Sequence, residues 1–496
     1  MQRQRALRSI VVLGGGIVGL TAAIAFARAL HRVRITVIDV PPDPAALADR
    51  LPGSLPAIAP FHVSIGIDER DLVRTGAATH RIATRFEHWS ADGAAWYHAY
   101  GDHGLPAGSV PFHQLWVAAQ RAGGTRPFHD HAAAAAMAAA GKFVHPEQDS
   151  QSPLGTHDYA LRLDPERYRE RLAAQAERLR VLRARGVIAT VERRGDGGIA
   201  RLVLDDGRRF EADLFLDCAG PAGRLISAVG SEFEDWGDSL PCDRLLLGTA
   251  PAQAEPTSCD MAVAAGIGWH WAAFLPDRTM AGLAYSSLLT SEDEARSVAA
   301  QVGIATSGPL SIRPGRRRQP WVRNVLAIGD AAIAVDPLES TNLHLAQSAI
   351  ARALDLLPGR DCHPLELAEY NRRTAQQAER IRDFLALHYL AAPRRDGPFW
   401  ASMAARGCPE SLAHTLQQFR SRGRLPFFEE ESFTSDSWLA VLFGMGLLPA
   451  HVSPAAGALD PEQGKEAMLR LGEGVAGLPA RLPSYRDYLA RMKGGG

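Results

Sequence analysis

The chain has 496 residues, room for a large core and for more than one ordinary domain. Its composition, 46% hydrophobic and 22% charged, is that of a soluble globular protein; 54 Lys+Arg against 55 Asp+Glu, with no basic stripe among aromatics, argue against nucleic acid as a partner, and no uncharged apolar run reaches the ~18 residues of a membrane span. The five cysteines, Cys218, Cys242, Cys259, Cys362 and Cys408, are scattered without CxxC spacing, which argues against a disulfide framework or a zinc site and for a reducing, cytoplasmic compartment.

Taken in chain order, residues 9–13 (SIVVL) predict a short buried strand. A glycine turn follows, then helical apolar spacing in LTAAIAFARAL, then a second buried strand at 34–40 (RITVIDV), completing a β-α-β unit. The basic start and apolar run VVLGGGIVGL superficially suggest a signal peptide, but the run is glycine-rich and lacks a clear cleavage site. The Pro- and Ala-rich stretch 41–60 reads as loop, and the alanine-rich stretch 131–140 as a surface helix. Residues 164–184 predict a helix with Asp164 as N-cap and Pro165 at its first position. After it, Gly-Asp-Gly-Gly and Asp-Asp-Gly turns separate alternating apolar runs, the pattern of a β-meander. Residues 325–332 (VLAIGDAA) predict a strand, Gly-Asp and a helix start; 363–390 predict one long helix. No linker divides the chain, so the modules are expected to interleave in sequence.

Gly14-Gly15-Gly16-Ile17-Val18-Gly19 matches GxGxxG between a strand and a helix. Gly14 allows the tight turn, Gly16 lets backbone approach a pyrophosphate, and Gly19 lets helix and strand pack closely. Asp39 ends the second strand 20 residues after Gly19, where an acid can bind ribose hydroxyls. The late strands DLFLDCAG (213–220) and VLAIGDAA turn the choice toward FAD: Gly329-Asp330-Ala331 puts a carboxylate where it can accept from a ribityl hydroxyl. The expected fold class is α/β: an FAD-binding Rossmann-like module of the aromatic-hydroxylase type, interleaved with a helix-rich substrate module. The FAD module is drawn from about 1–50, 160–220 and 310–360, and the substrate module from about 51–159, 221–309 and 361–496 of a single unit, 1–496. Phe86, Trp89, Trp96, Tyr97, Phe112 and Trp116 are candidates for an aromatic substrate site, with ordinary core packing as the alternative.

Beyond these readings, the sequence resembles the flavin-dependent tryptophan halogenases along nearly its whole length. The resemblance is carried by GGGIVGL, DERDLVRTGAATHRIATRFEHW (68–89), ADLFLDCAG, FEDWGDSLPCDR and GWHW (268–271). It continues in IGDAAIAVDPLESTNLHL (328–345), AEYNRR, IRDFLALHY, RRDGPFW and the segment from Phe427 to Pro449. It implies FAD reduced by a separate flavin reductase, a halide ion oxidised beside the flavin to hypohalous acid, and passage of that species through a channel to an aromatic substrate. That substrate would be indole- or tryptophan-like by default, with free tryptophan, a peptide-borne tryptophan or a phenol all fitting. It also implies that Pro337-Leu338-Glu339-Ser340-Thr341-Asn342 is the turn at the flavin ring. In that mapping Glu339 is the assisting glutamate, Ser340, Thr341 and Asn342 offer backbone N–H groups to flavin and halide, and Trp269 and Trp271 line the space between flavin and substrate.

Three departures stand out. Arg81 occupies the position of the family's lysine, and only Lys142, Lys465 and Lys493 are lysines at all. A guanidinium stays charged and is a poor nucleophile toward hypohalous acid, so it can position the oxidant but not form a haloamine. Asn342 stands where the family has glycine, at a place expected to need a left-handed backbone. Leu51-Pro52-Gly53-Ser54 replaces the family's glycine-glutamate-alanine-threonine loop. The expectation is therefore an FAD-dependent halogenase, with a flavin monooxygenase or oxidase, or an FAD-binding pseudoenzyme, as the alternatives.

Overall fold

The computed structural model describes residues 6–148, 152–394 and 396–494; Arg395, in the RRDGPFW segment, lies outside them. The chain divides into two compact units, each discontinuous in sequence. The first comprises Met1–Ala78, Leu163–Asp243 and Leu310–Glu379, and the second Thr79–Arg162, Arg244–Pro309 and Arg380–Gly496.

A six-stranded sheet forms the spine of the first unit, in the order Trp321–Val322, Val325–Ala327, Leu214–Asp217, Ser9–Leu13, Arg34–Asp39, Leu182–Arg185. Its pairings are parallel except at the edge formed by Trp321–Val322. Ile10, Val12 and Leu216 are fully buried, as expected of continuous apolar strands covered on both faces. The helix Ile17–Ala29 is buried from Ile17 through Phe26. The meander is present as Ile188–Arg193, Ile199–Leu204 and Arg209–Glu211, all antiparallel.

Several elements differ from the sequence reading. The helix expected over 164–184 is Pro165–Arg178, capped by the Asp164 carboxylate on the Glu166 and Arg167 N–H groups. Its expected last turn is instead the edge strand Leu182–Arg185, whose pairing with Arg34–Asp39 is non-local and leaves no mark in local periodicity. No α-helix starts after Ile328: Gly329–Ala331 is a single 3-10 turn, and the next α-helix is Asn342–Asp355. The stretch read as loop at 41–60 contains a 3-10 turn, Leu47–Asp49, and the start of the helix Ile58–Ile65. The first unit runs on to Ala78 because this stretch is tied to it: Leu163 donates its N–H to Pro52 O, and a His62 ring nitrogen meets the Tyr168 hydroxyl at 2.8 Å.

A seven-stranded sheet carries the second unit, in the order Ala305–Ser311, Arg244–Ala250, Thr279–Tyr285, Gly268–Phe274, Cys259–Ala265, Ala83–Glu87, Trp96–Ala99. Cys259–Ala265 pairs in parallel with Ala83–Glu87, and the hairpins through Gly268–Phe274 are antiparallel. Helices accompany it, among them Phe112–Arg121, Glu410–Arg422, Ser435–Gly444 and Pro461–Gly477. The alanine-rich helix, Ala133–Ala139, is buried rather than superficial: Ala133, Ala134, Ala135, Met137 and Ala138 are all inside. Alanine suits that place because it brings helix backbone close to its neighbours. The long helix is Pro364–Ala391. Among the described residues no helix is long and apolar enough to cross a membrane.

Candidate functional site

In the first unit the glycine turn leads from Ser9–Leu13 into Ile17–Ala29. Gly14 has φ +112, and a Cβ there would meet the Cys218 carbonyl oxygen at 2.5 Å, so only glycine serves. A Cβ on Gly19 would strike the Gly14 carbonyl, which fixes the close helix-strand approach. Gly16 is the N-cap of the helix and has no side chain to satisfy the first N–H groups. The Asp49 carboxylate takes that role: its Oδ1 accepts from Val18 N at 2.8 Å, and a Cβ on Gly16 would run into it. Burial pushes the Asp49 carboxyl up to about 6, against the lowering effect of the Val18 and Ile17 N–H groups. Asp330 is buried too, its Oδ2 accepting from Ala48 N at 2.9 Å; burial, with Asp49 adding repulsion, pushes it up to about 7. Ala331, beside it, is buried in the same turn. Asp39, at the end of its strand, is bridged to Arg183 at 2.7 Å, with Arg169 at 3.7 Å. Asp49 was not singled out from the sequence. It lies in a Pro- and Ala-rich loop with no motif spacing, and only the fold brings it to the helix.

The turn from Pro337 to Asn342 belongs to the same unit. Asp336 Oδ1 accepts from Leu338 N at 3.1 Å, and Ser340 N closes back on Pro337 O at 3.1 Å. Glu339 and Ser340 have φ of 59° and 58°, so two consecutive non-glycine residues are left-handed. This corrects the expectation that Asn342 would carry that conformation. Asn342 instead opens the helix Asn342–Asp355, and its Nδ2 donates to Val335 O at 2.9 Å. It also corrects the Ser340 N–H as a donor to a ligand, since the turn uses it. Leu338 and Glu339 are buried, Glu339 at 3% exposure. At the helix start, Thr341 Oγ1 and Asn342 Oδ1 are buried without a hydrogen-bond partner.

The second unit holds Arg81, Trp269 and Trp271. Both tryptophans lie on one face of Gly268–Phe274. Their cross-strand neighbours are small, Ala264 and Ala284 for Trp269, Ala262 and Gly282 for Trp271, which leaves room for two indole rings. Trp269 Nε1 donates to the Tyr389 hydroxyl at 2.8 Å, whereas Trp271 Nε1 is buried without a partner. Arg81 is 1% exposed. Its Nε pairs with Asp260 Oδ2 at 3.0 Å, its Nη2 donates to Thr84 Oγ1 at 2.6 Å, and the guanidinium lies 5.4 Å from the centre of the Tyr100 ring.

Of the aromatic candidates, Phe86, Trp89, Trp96, Phe112 and Trp116 are buried, with Phe86 stacked on Trp96 at 4.3 Å. Trp96 and Trp116 also wall a cavity of about 490 Å³ with Phe128 and Phe443. A second cavity, of about 400 Å³, is lined by Phe427, Phe428, Phe433 and Trp438 around Arg380. The Arg380 guanidinium sits 3.8 Å from the centre of Phe428 and 4.5 Å from that of Trp438. Phe427 is 92% exposed, an unusual place for phenylalanine.

The family model described as tryptophan halogenase matches residues 9–461. Among solved structures, the chain is similar to BrvH, a flavin-dependent halogenase from Brevundimonas sp. BAL3, with 34% identity, 98% of this chain and 99% of that one covered, and a TM-score of 0.92. It is similar to Xcc4156, a flavin-dependent halogenase from Xanthomonas campestris, with 33% identity, coverage of 98% and 99%, and a TM-score of 0.91. Among curated relatives, the tryptophan 6-halogenase SttH of Streptomyces toxytricini is 26% identical over 97% of this chain and 98% of its own length.

Proposed function

The chain belongs to the tryptophan halogenase family, and on that footing we propose that it is an FAD-dependent halogenase acting on an indole- or tryptophan-like aromatic, with reduced FAD supplied by a separate flavin reductase. The family uses FAD, and the first unit's donor set suits a dinucleotide. The amino end of Ile17–Ala29 already carries an anion, the Asp49 carboxylate, on Val18 N–H, which is the chemistry a pyrophosphate asks for. Gly14, Gly16 and Gly19 would shape the cradle, Asp39 would take the ribose and Asp330 the ribityl chain, with Pro337, Leu338 and Ser340 beside the ring. When bound and reduced, FAD supplies the two electrons that activate oxygen for halide oxidation.

The residues then divide the work. Thr341, whose hydroxyl is buried and unpartnered at a helix start, would donate it to the halide, together with the first backbone N–H groups of Asn342–Asp355, that of Asn342 among them. Glu339 would accept the proton released when the aromatic ring is substituted. Trp269 and Trp271 would exclude water from the oxidant. Arg81 would act as a fixed cation, since its guanidinium is committed to Asp260 and Thr84. The observation that carries this reading is the whole-chain likeness to flavin-dependent halogenases at 34% identity.

The test is direct capture of hypohalous acid. Purified protein, FAD, a flavin reductase, NADH and bromide are mixed with a small-molecule halogen trap, with catalase present. Bromination of the trap above the no-enzyme control is the expected result. Hydrogen peroxide alone, with FAD bound, would overturn halide chemistry. One observation favours a second reading, a flavin monooxygenase or oxidase: Arg81 stands where the family's lysine does and is held away from nucleophilic use by its carboxylate.

A further inference from the structure

Arg162, in the second unit, lies on the strand Ala160–Leu163 and is fully buried. Its Nη1 is well supplied, donating to Phe274 O at 2.7 Å and to Thr79 Oγ1 and Thr257 O, each at 3.1 Å. Its Nε meets Asp260 Oδ1 at 2.6 Å. Its Nη2 is buried and has no hydrogen-bond partner. The carboxylate that serves Arg162 is shared, because Asp260 Oδ2 is paired with Arg81 at 3.0 Å. Among the described residues Asp260 is the single carboxylate in ion-pair reach of Arg162. The neighbouring Cys259 thiol adds no negative charge, since burial pushes it up to about 12.

Arg162 shares its one carboxylate with Arg81, and its Nη2 is left without an acceptor in a place without solvent. A buried charged donor with no acceptor is costly, and proteins fill such places with ordered water or an ion. The charge on the Arg162 guanidinium favours an anion over neutral water. The orphan is one nitrogen in a closed setting, with Arg81 at 1% and Arg162 at 0% exposure. That suits a monatomic ion, not the carboxylate of a bulky molecule.

We infer that Arg162, with Asp260 and Arg81 beside it, is a binding site for a small monovalent anion, a halide, built without residues of the turn at Thr341 and Asn342. The inference concerns binding and is read without turnover, so it stands or falls apart from the proposed halogenation. Crystals of the full chain grown in bromide, with data collected at the bromine absorption edge, should show an anomalous peak beside Arg162 Nη2. A water in that place, or bromide only elsewhere, overturns the site. In solution, bromine NMR line broadening on a Thr341→Val background isolates the second site. There Arg162→Met should weaken bromide binding about tenfold or more, the loss of one charge-assisted contact, while Arg162→Lys should keep most of it. Equal broadening by Thr341→Val and by the double variant Thr341→Val, Arg162→Met overturns the inference. Should Arg162→Met fail to fold, the wild-type anomalous map decides alone.

Discussion

Glu339 and Ser340 hold backbone angles that cost non-glycine residues about 1 kcal/mol or more each, and such strain gathers at functional sites. On that ground Glu339→Gln should lower halogenation by roughly 10²-fold or more while leaving FAD binding unchanged, the size expected for loss of a general base. Equal activity in the variant would remove Glu339 from the chemistry. Arg81 is a different case. Arg81→Lys keeps a cation beside Asp260 but loses the bond to Thr84 Oγ1, a loss of about 1 kcal/mol in stability by chemical denaturation. Bromination that rises in this variant would mean that the scaffold tolerates the family's lysine chemistry, and bromination that stays absent in both supports the monooxygenase or oxidase reading.

At the scale of elements, two packing arrangements can be tested. The first is the sheet face beneath Trp271. A Cβ on Gly282 would lie 2.8 Å from Trp271 Nε1 and 2.9 Å from Leu246 O, so Gly282→Ala forces the indole or the strand to move. The expected cost is about 1–3 kcal/mol of stability, with a shift in tryptophan fluorescence. The second is the loop that brings Asp49 to the start of Ile17–Ala29. A carboxylate seated there competes with a phosphate for the same N–H groups. Asp49→Asn should therefore tighten FAD binding several-fold in a fluorescence titration, an effect of about 1 kcal/mol. Weaker binding in that variant would instead make Asp49 a structural cap that the cofactor site needs.

For the molecule as a whole, the raised carboxyls of Asp49 and Asp330 set a pH dependence. Both are held above the ordinary value of 3.8, Asp49 at about 6 and Asp330 at about 7. A raised carboxyl favours the protonated folded state, so its contribution is full below the ordinary value and is lost as pH rises through the folded one. Thermal stability of the FAD-free protein should thus fall between about pH 4 and about pH 7. The double variant Asp49→Asn, Asp330→Asn should flatten that slope, and an unchanged slope would assign the dependence to other groups. FAD at about 100 times its Kd should add about 2.7 kcal/mol to stability, a rise in Tm that reports cofactor binding without any assay of activity.

What the sequence determined by itself is what local spacing and chemistry encode. The glycine turn, the buried strands at 9–13 and 34–39, the Asp164 cap and the long helix from Pro364 are set by residues near one another in the chain, and the flavin and halogenase assignment by motifs in order. The features that folding alone settles involve partners far apart. Residues 182–185 became an edge strand because Arg34–Asp39 lay open to pairing, and the alanine helix went inside because neighbours closed over it. Asp49 reached a helix 31 residues away, and Arg81 found Asp260, which Arg162 also holds. A charge's role depends on what surrounds it after folding, and no periodicity along the chain carries that information.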